Sequence, residues 1–332
     1  MPGWPGDDCY PRVGAMLGDV RLLSVGPRRR VLFRAAAVTL AISTSTLSAG
    51  LTAATATATA GAPHAREARV GAAARRPKPE VVTSVYALTQ LVSYIAGNAV
   101  RVVDIAPPGA QPQGVALTAA GRGAVERAAL VIDVGDGYQP QVEAAARLAR
   151  RHLDVLPAVS KQAKPYEFWL DPYLMAKAAV VIATSLTAAD PAGRTDFQNG
   201  SRNFQSVASS IESDLDSTFT SCERSEFVTS DAAFQRFASS FDLVDLAVDA
   251  AGVKKATVLV RQNSLPAVFS EVGVPSTQVQ EVARATGASV QSLNPMEVAP
   301  YPGAPAPLSY FAATEYNVTT LEGPLACDTT SI

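Results

Sequence analysis

The chain has 332 residues, of which 48% are hydrophobic and 17% are charged, and its formal net charge at pH 7 is −2. This length allows two lobes with substantial cores, and the near-neutral charge gives no indication of a nucleic-acid-binding surface. Only two histidines are present, His64 and His152, which argues against a zinc site built mainly from imidazoles.

The N-terminal region, residues 1–60, has the composition of an export signal. A basic cluster at 28–30 precedes an apolar run over 31–42, and small residues follow; this order is typical of exported proteins. The apolar run is too short and too often interrupted by Ser and Thr for a good membrane span. The paired arginines allow twin-arginine export, and ordinary signals also carry basic residues, so both routes stay open.

Residues 61–79, rich in Ala, Arg, Gly and Pro, are predicted to form a flexible tether. No cysteine follows the small residues at 47–50, where a lipoprotein would carry its acylated cysteine. We therefore expect a secreted protein that is associated with the cell envelope and is not a lipoprotein.

Two cysteines lie beyond the signal region, because Cys9 precedes or belongs to it. Cys222 and Cys327 form an even pair in an oxidising compartment, which predicts a disulfide that ties the C-terminal tail to the start of the second lobe. The alternative is two unpaired thiols.

Residues 80–190 alternate between strand and helix patterns and are predicted to form the N-terminal lobe. Strands are runs rich in β-branched residues that end at Pro or Gly, and helices show apolar residues on one face. Such alternation indicates parallel βαβ units. The predicted strands cover 81–86, 100–105, 130–134 and a short stretch near Val155, and the predicted helices cover 88–95, 124–129 and 141–152.

One long helical pattern over 196–222 has Phe and aliphatic residues on one side and no proline. It is long enough to cross a domain and defines a linking helix within residues 191–222. The C-terminal lobe, residues 223–326, repeats the α/β plan, with strands at 227–229, 267–271 and 288–293 and helices at 232–240, 276–286 and 308–321. The predicted fold class is therefore α/β, with two lobes, each a parallel-type sheet with flanking helices, joined by one long spanning helix.

Three short motifs lie at the ends of these predicted elements. They are Pro107-Pro108-Gly109-Ala110-Gln111-Pro112-Gln113, then Trp169-Leu170-Asp171-Pro172 with Glu167 two residues before it, and Thr229-Ser230-Asp231. In combination they resemble the extracellular metal-binding subunits of bacterial zinc and manganese ABC importers. The resemblance covers residues 81–325 and implies the same two-lobed architecture.

The resemblance implies a metal site in the cleft between the lobes, with Gln113, Glu167, Asp231 and Asn294 at the four ligand positions. Relatives carry His where Gln113 and Glu167 stand, His or Glu where Asp231 stands, and a carboxylate where Asn294 stands. Two carboxylates and two amide carbonyls form an oxygen-rich donor set that suits Mn²⁺, Mg²⁺ or Ca²⁺ better than Zn²⁺. Glu271 matches a family acid near the cleft; it is expected to be mainly structural, with indirect support of the ligands as a further role. The expected cargo is a divalent cation, Mn²⁺ or Zn²⁺.

Glu167 and Asp231 also have a purely structural interpretation. Glu167 could pair with Lys164 or with arginines at the cleft rim, and Asp231 could cap a helix that begins at residue 232. His152 is interpreted as the charged end of the predicted helix 141–152, with no ligand role.

Two functions follow from the resemblance. The first is a secreted, monomeric solute-binding protein of a metal ABC transporter, which would work with a membrane permease and an ATPase on other chains. The second is a descendant that has lost the metal and acts as a surface binding or adhesion module. An enzyme is not expected, because the two histidines are badly placed for nucleophilic catalysis and no phosphate-binding loop is present.

Overall fold

We describe a computed structural model of the chain, in which residues 77–106, 112–299 and 309–328 are described. The predicted export signal and nearly all of the predicted tether lie outside these residues. So does most of the proline-rich motif that ends at Gln113.

The first sheet is fully parallel and has the strand order β2-β1-β3-β4. Its central strands, β1 and β3, are rich in Val, Leu and Ile and are almost completely buried, as expected where helices cover both faces of a sheet. Its strands are β1 (Glu80–Thr83), β2 (Arg101–Asp104), β3 (Leu130–Asp133) and β4 (His152–Asp154).

Helices fold against this sheet through apolar residues spaced three or four apart. In the first helix these are Leu88, Leu91, Val92 and Ile95, and the helix ends at Gly97, whose positive φ of 50° suits glycine. The helices of this lobe are α1 (Tyr86–Ala96), α2 (Ala119–Arg127), α3 (Pro140–Ala146), α4 (Val155–Val159) and α5 (Pro172–Ala189).

The predicted helix 141–152 is wrong at its C-terminal end. Helix α3 ends at Ala146, and the chain turns so that His152 begins strand β4 beside Val131. The sequence Arg-Leu-Ala-Arg-Arg has good helix formers, but parallel pairing with β3 outweighs this local preference. Val155, expected in a strand, begins α4 instead.

The long helix predicted at 196–222 is α6 (Arg194–Thr220), whose 27 residues extend for about 40 Å. Its buried side carries Phe197, Phe204, Ala208 and Leu215, which pack into the central core with α1 and α5. Within the described residues, α5 is the only helix long and apolar enough to cross a membrane, and its buried face belongs to this same core.

The second sheet repeats the topology of the first, with parallel strands in the order β6-β5-β7-β8. Strand β6 and helix α8 were not predicted, and α7 begins three residues later than expected. The elements are β5 (Glu226–Thr229), α7 (Gln235–Ser240), β6 (Val244–Ala247), α8 (Val253–Gln262), β7 (Ala267–Glu271), α9 (Thr277–Thr286), β8 (Ser289–Leu293) and α10 (Tyr310–Leu325).

Cys222, just after α6, and Cys327, just after α10, form the predicted disulfide. The predicted fold class is confirmed: two parallel sheets with flanking helices, and a long helix between them. The residue ranges assigned to the signal, the tether, the two lobes and the linking helix remain predictions.

Candidate functional site

A cavity of about 460 Å³ lies next to the carboxyl ends of strands from both sheets. In the second sheet the chain reverses its strand order between β5 and β7, and such switch points leave a crevice that binds ligands. We call this cavity the cleft. The residues of its lining that could bind a cation through a carboxylate or amide oxygen include Gln113, Glu167, Asp231, Glu271 and Glu297.

The first lobe contributes Gln113 and Glu167 to the cleft. Gln113 is an exposed residue in a short 3₁₀ turn after β2, and Glu167 lies directly before a second 3₁₀ turn. That second turn is fixed by Trp169, whose Nε1 donates to the Pro295 carbonyl at 2.7 Å. Asp171 follows and caps α5 by accepting a hydrogen bond from the Leu174 amide at 3.1 Å.

Glu167 is 4% exposed, and its carboxyl is in an environment that favours the protonated form. The pKa of Glu167 is raised to about 7: burial is the largest cause and nearby Asp231 adds to it, whereas backbone hydrogen bonds and the positive charge of Arg236 oppose the rise. No described basic residue forms an ion pair with Glu167. The ammonium group of Lys164, the suggested partner, lies 5.4 Å over the ring of Tyr166 instead.

The second lobe contributes Asp231 from the loop after β5. Asp231 Oδ1 accepts from the Ala233 amide at 2.9 Å, and the Ser230 hydroxyl donates to Asp231 Oδ2 at 3.1 Å. Helix α7 begins only at Gln235, so the interpretation of Asp231 as the cap of a helix at residue 232 is wrong. Asp231 stabilises the turn before that helix and still lines the cleft.

Glu271 is the last residue of β7 and lies beside Asp231. Burial raises the pKa of Glu271 strongly, and its hydrogen bond with Asp231 and the charges of Asp231 and Glu297 raise it further. The Glu271 carboxyl is therefore difficult to ionise unless a cation is bound nearby.

Glu297 was not predicted, and it is the fourth carboxyl group of the cleft. Burial first, and the charge of Glu167 second, raise the pKa of Glu297 to about 8. The Tyr138 hydroxyl donates to Glu297 Oε1 at 3.0 Å and fixes its orientation. An acidic residue shortly after the last strand of the sheet was the available sequence signal, but the family motif directed attention to Asn294.

Asn294 is not among the residues that line the cleft. Its side-chain oxygen accepts from the Met296 amide at 2.9 Å, and its backbone exchanges two hydrogen bonds with the side chain of Asn317, at 2.7 and 2.8 Å. The structure therefore brings Gln113, Glu167 and Asp231 together, with Glu271 beside them, and gives Asn294 a role in the turn.

A two-lobed α/β protein with an acidic cleft between its lobes has the architecture of a solute-binding protein. The family model of the periplasmic zinc-uptake complex component A, ZnuA, matches residues 81–323. The chain therefore belongs to this family of metal-binding, substrate-binding proteins, which confirms the resemblance found in the sequence.

Individual relatives are more distant. A protein of Treponema pallidum (strain Nichols) described as metal-binding is 23% identical over 254 residues, which are 66% of this chain and 80% of that protein. A Mn-bound periplasmic metal-binding protein of Candidatus Liberibacter asiaticus has a TM-score of 0.67 and 18% identity, covering 75% of this chain and 100% of the other. The laminin-binding protein Lmb of Streptococcus agalactiae has a TM-score of 0.66 and 23% identity, covering 75% and 99%. At these identities the two structures support the fold alone.

Proposed function

We propose that this protein is the solute-binding subunit of an ABC importer and carries a divalent cation in the cleft. Gln113, Glu167, Asp231 and Glu297 would bind the ion, with Glu271 supporting Asp231 or joining it. The observation that carries the proposal is the convergence of four carboxyl groups, two of them buried (Glu167 and Glu297) and two partly buried (Asp231 and Glu271), in a cavity whose lining contains no basic residue. Such a group of acids is unfavourable without a cation, because burial and the charges of Glu167 and Asp231 raise the pKa of Glu297.

The donor set favours a hard cation of the manganese type. Carboxylate and amide oxygens suit Mn²⁺, Mg²⁺ and Ca²⁺, whereas Zn²⁺ is commonly held by His and Cys. The cleft volume of about 460 Å³ is large compared with the roughly 30 Å³ that one water occupies. Waters can therefore complete a shell of six or more oxygens around the ion.

The two lobes are held together around the cleft, which favours a small closing movement. Helix α6 runs between the sheets, and Trp169 of the first lobe donates to Pro295 of the second. Arg236 of α7 donates through Nε to the Pro165 carbonyl at 2.7 Å and through Nη2 to the Gln162 carbonyl at 3.1 Å, next to Glu167. Cation selectivity would then depend on donor chemistry more than on hinge bending.

The importer proposal requires partners on other chains, a membrane permease and an ATPase. It also requires export, so residues 1–60 would act as the signal and 61–79 as the tether of a protein that works outside the cytoplasm. A single copy contributes all five cleft residues, which is consistent with a monomer.

A second candidate function is surface adhesion. It is favoured by one comparison, because the Streptococcus agalactiae relative is described as bifunctional, with adhesin and metal-transporting activity. A protein that had lost its metal would keep the scaffold and show no saturable cation binding. Cation binding therefore discriminates between the importer and a descendant that has lost its metal, whereas adhesion as such is compatible with both results.

The test is calorimetry on chelator-treated protein with Mn²⁺, Zn²⁺, Ca²⁺ and Fe²⁺. We expect saturable binding, strongest for an oxygen-preferring ion, and a loss of about a hundredfold or more in the Glu167→Ala, Asp231→Ala double variant, since even indirect partners of a metal typically contribute about 10–100-fold. The matched control is Glu126→Ala, Glu281→Ala, which removes two exposed acids from helices α2 and α9. Absence of saturable binding by the unchanged protein would contradict the proposal, and so would equal loss in the control.

A further inference from the structure

The first lobe contains a second group of ligand-type side chains, none of which lines the cleft. Asp133 is the last residue of β3, and His152 and Asp154 are the first and last residues of β4. The parallel register pairs His152 with Val131 and Asp154 with Asp133. Because alternate residues of a strand point to the same face, all three side chains project from one face of the sheet. We call this group the His152 cluster.

The distances within the His152 cluster are those of ligands around one ion. His152 Nε2 lies 3.1 Å from Asp133 Oδ2 and 3.0 Å from Asp154 Oδ1. The ligand atoms of the three residues all lie within 4.8 Å of one another. Two ligands that bind an ion at about 2.1 Å are about 3.0 Å apart when they meet at a right angle and about 3.4 Å apart in a tetrahedron. The observed separations match the right angle of octahedral coordination, and they equally match hydrogen bonds from a protonated imidazole.

Burial supplies an independent reason to expect a cation. Asp133 is completely buried, and its Oδ1 has no hydrogen-bond partner among the described residues. A buried carboxylate oxygen without a partner is costly, and a bound cation is one way to satisfy it.

The cluster is open on one side, as an ion that enters from solvent requires. The side chain of Asp154 is 43% exposed and that of His152 is 17% exposed, whereas that of Asp133 is not exposed. The turn after β3 approaches closely because Gly135 has a φ of +83°, and a Cβ there would lie 2.9 Å from the Cβ of Asp154. The hydrogen bond with Asp133 raises the pKa of His152, and the positive charge of Arg147 is close enough to oppose this rise. The Arg147 side chain is well exposed, and its Nη2 lies 3.9 Å from Glu143 Oε2.

We propose that Asp133, His152 and Asp154 bind a divalent transition-metal ion in octahedral coordination, with solvent completing the shell. One imidazole nitrogen and two carboxylates suit Mn²⁺, Co²⁺ or Ni²⁺, and the two negative charges balance the ion. The ion would join edge strand β4 to its neighbour β3. This site is separate from the cleft, so the two proposals can succeed or fail independently.

The alternative is an ion pair, in which a protonated His152 donates to the two aspartates. The two states differ in the imidazole, which must lose its Nε2 proton to bind a metal but keeps it in the ion pair. The chain is favourable for observing this difference, because it contains only two histidines.

The experiment uses the untagged full chain carrying Glu167→Ala and Asp231→Ala, so that the cleft does not contribute. We expect calorimetry with Ni²⁺ to show one remaining site, and Mn²⁺ to broaden the imidazole NMR signals of His152 while those of His64 persist. Adding Asp133→Asn, which keeps the shape of the side chain, should weaken Ni²⁺ binding at least about tenfold. His64→Gln is the matched control and should leave binding unchanged.

Thermal unfolding provides a second measurement, because an ion that binds only the folded state raises the melting temperature. Ni²⁺ should raise it in the cleft variant and should raise it much less after Asp133→Asn. The proposal is overturned if the His152 signals titrate with pH but ignore both metals. It is also overturned if the remaining binding survives Asp133→Asn.

Discussion

The conformation of the loop after β8 determines which acidic residue lines the cleft. The first turn of α1 has no side-chain cap, because the N-cap residue is Val85. Its free amides are satisfied by the loop after β8: Tyr86 donates to the Glu297 carbonyl and Ala87 to the Met296 carbonyl, both at 2.9 Å. Met296 adopts a left-handed φ of 54° to make this possible. The loop thus caps a helix of the first lobe and presents Glu297 to the cleft.

We predict that Glu297→Gln weakens cation binding about tenfold or more, since it removes a charge from the site. Glutamine keeps a carbonyl oxygen that can accept from Tyr138, so the loop should retain its position. Calorimetry with Mn²⁺ measures the change. Asn294→Ser is the matched substitution in the same loop, because a serine hydroxyl can replace the oxygen that accepts from Met296. If Asn294→Ser were the more damaging change, the sequence-based ligand set would be favoured over the structural one.

The residues of the candidate site differ in how far sequence reveals them. Glu167 and Asp231 belong to short motifs whose positions depend on local turns, so a comparison of motifs finds them. Glu297 depends on hydrogen bonds to Tyr86 and Ala87, far away in the chain, and no local pattern reports such a contact. The assignment of Gln113, Glu167 and Asp231 as ligands remains a prediction.

At the level of elements, helices α6 and α1 approach each other closely at Gly200. Gly200 of α6 lies against the backbone of Ile95, and a Cβ added at residue 200 would lie 2.8 Å from the Cα of Ile95, with the Ile95 carbonyl closer still. Backbone cannot move aside as a flexible side chain can. The glycine therefore sets the distance between the long helix and the first helix of the lobe.

We predict that Gly200→Ala destabilises the protein by about 1–3 kcal/mol, the usual cost of overpacking. The sign is informative, because alanine is otherwise more favourable than glycine inside a helix by about 1 kcal/mol. Urea unfolding monitored by circular dichroism measures the change. Ser210→Ala, at an exposed position of the same helix, should be neutral or slightly stabilising. A stabilising Gly200→Ala would show that the two helices are not in close contact.

Helices with a regular spacing of apolar residues could be predicted from the sequence, whereas strands that depend on pairing with another strand could not. Helix α6 shows its buried side as a regular spacing of Phe and aliphatic residues, and the predicted ends were within two residues. Strand β4 has only three residues, His152 to Asp154, and two of them are polar. Its structure depends on β3, so local sequence favoured a longer helix in its place. Because residue 152 was predicted at the end of a helix, the sequence did not indicate that His152 lies close to Asp133 and Asp154.

At the scale of the whole molecule, several acids share one effect: burial raises the pKa of each of them. Burial is the largest cause of the raised pKa of Asp104, about 6, and of Asp245, about 8, and both lie in edge strands, β2 and β6, of their sheets. Glu167, about 7, and Glu297, about 8, add the cleft to this set. In the absence of a cation the folded protein therefore still holds, near neutral pH, protons that the unfolded chain has already released near pH 4.

The sign of the pH dependence follows from these raised pKa values. Between the unfolded values near 4 and the folded values of about 6 to 8, the folded state binds more protons than the unfolded state, so stability falls as pH rises through this window. Each such acid contributes at most about 1.4 kcal/mol for each pH unit.

We predict that chelator-treated protein is less stable to urea at pH 8 than at pH 5. The slope should be smaller in Glu297→Gln, which removes one of these acids, and unchanged in Glu281→Gln, an exposed site. Saturating Mn²⁺ should restore stability at pH 8, because the ion replaces the protons in the cleft. Stability that rises from pH 5 to pH 8 without metal would mean that the cleft carboxyl groups are ionised in the folded protein.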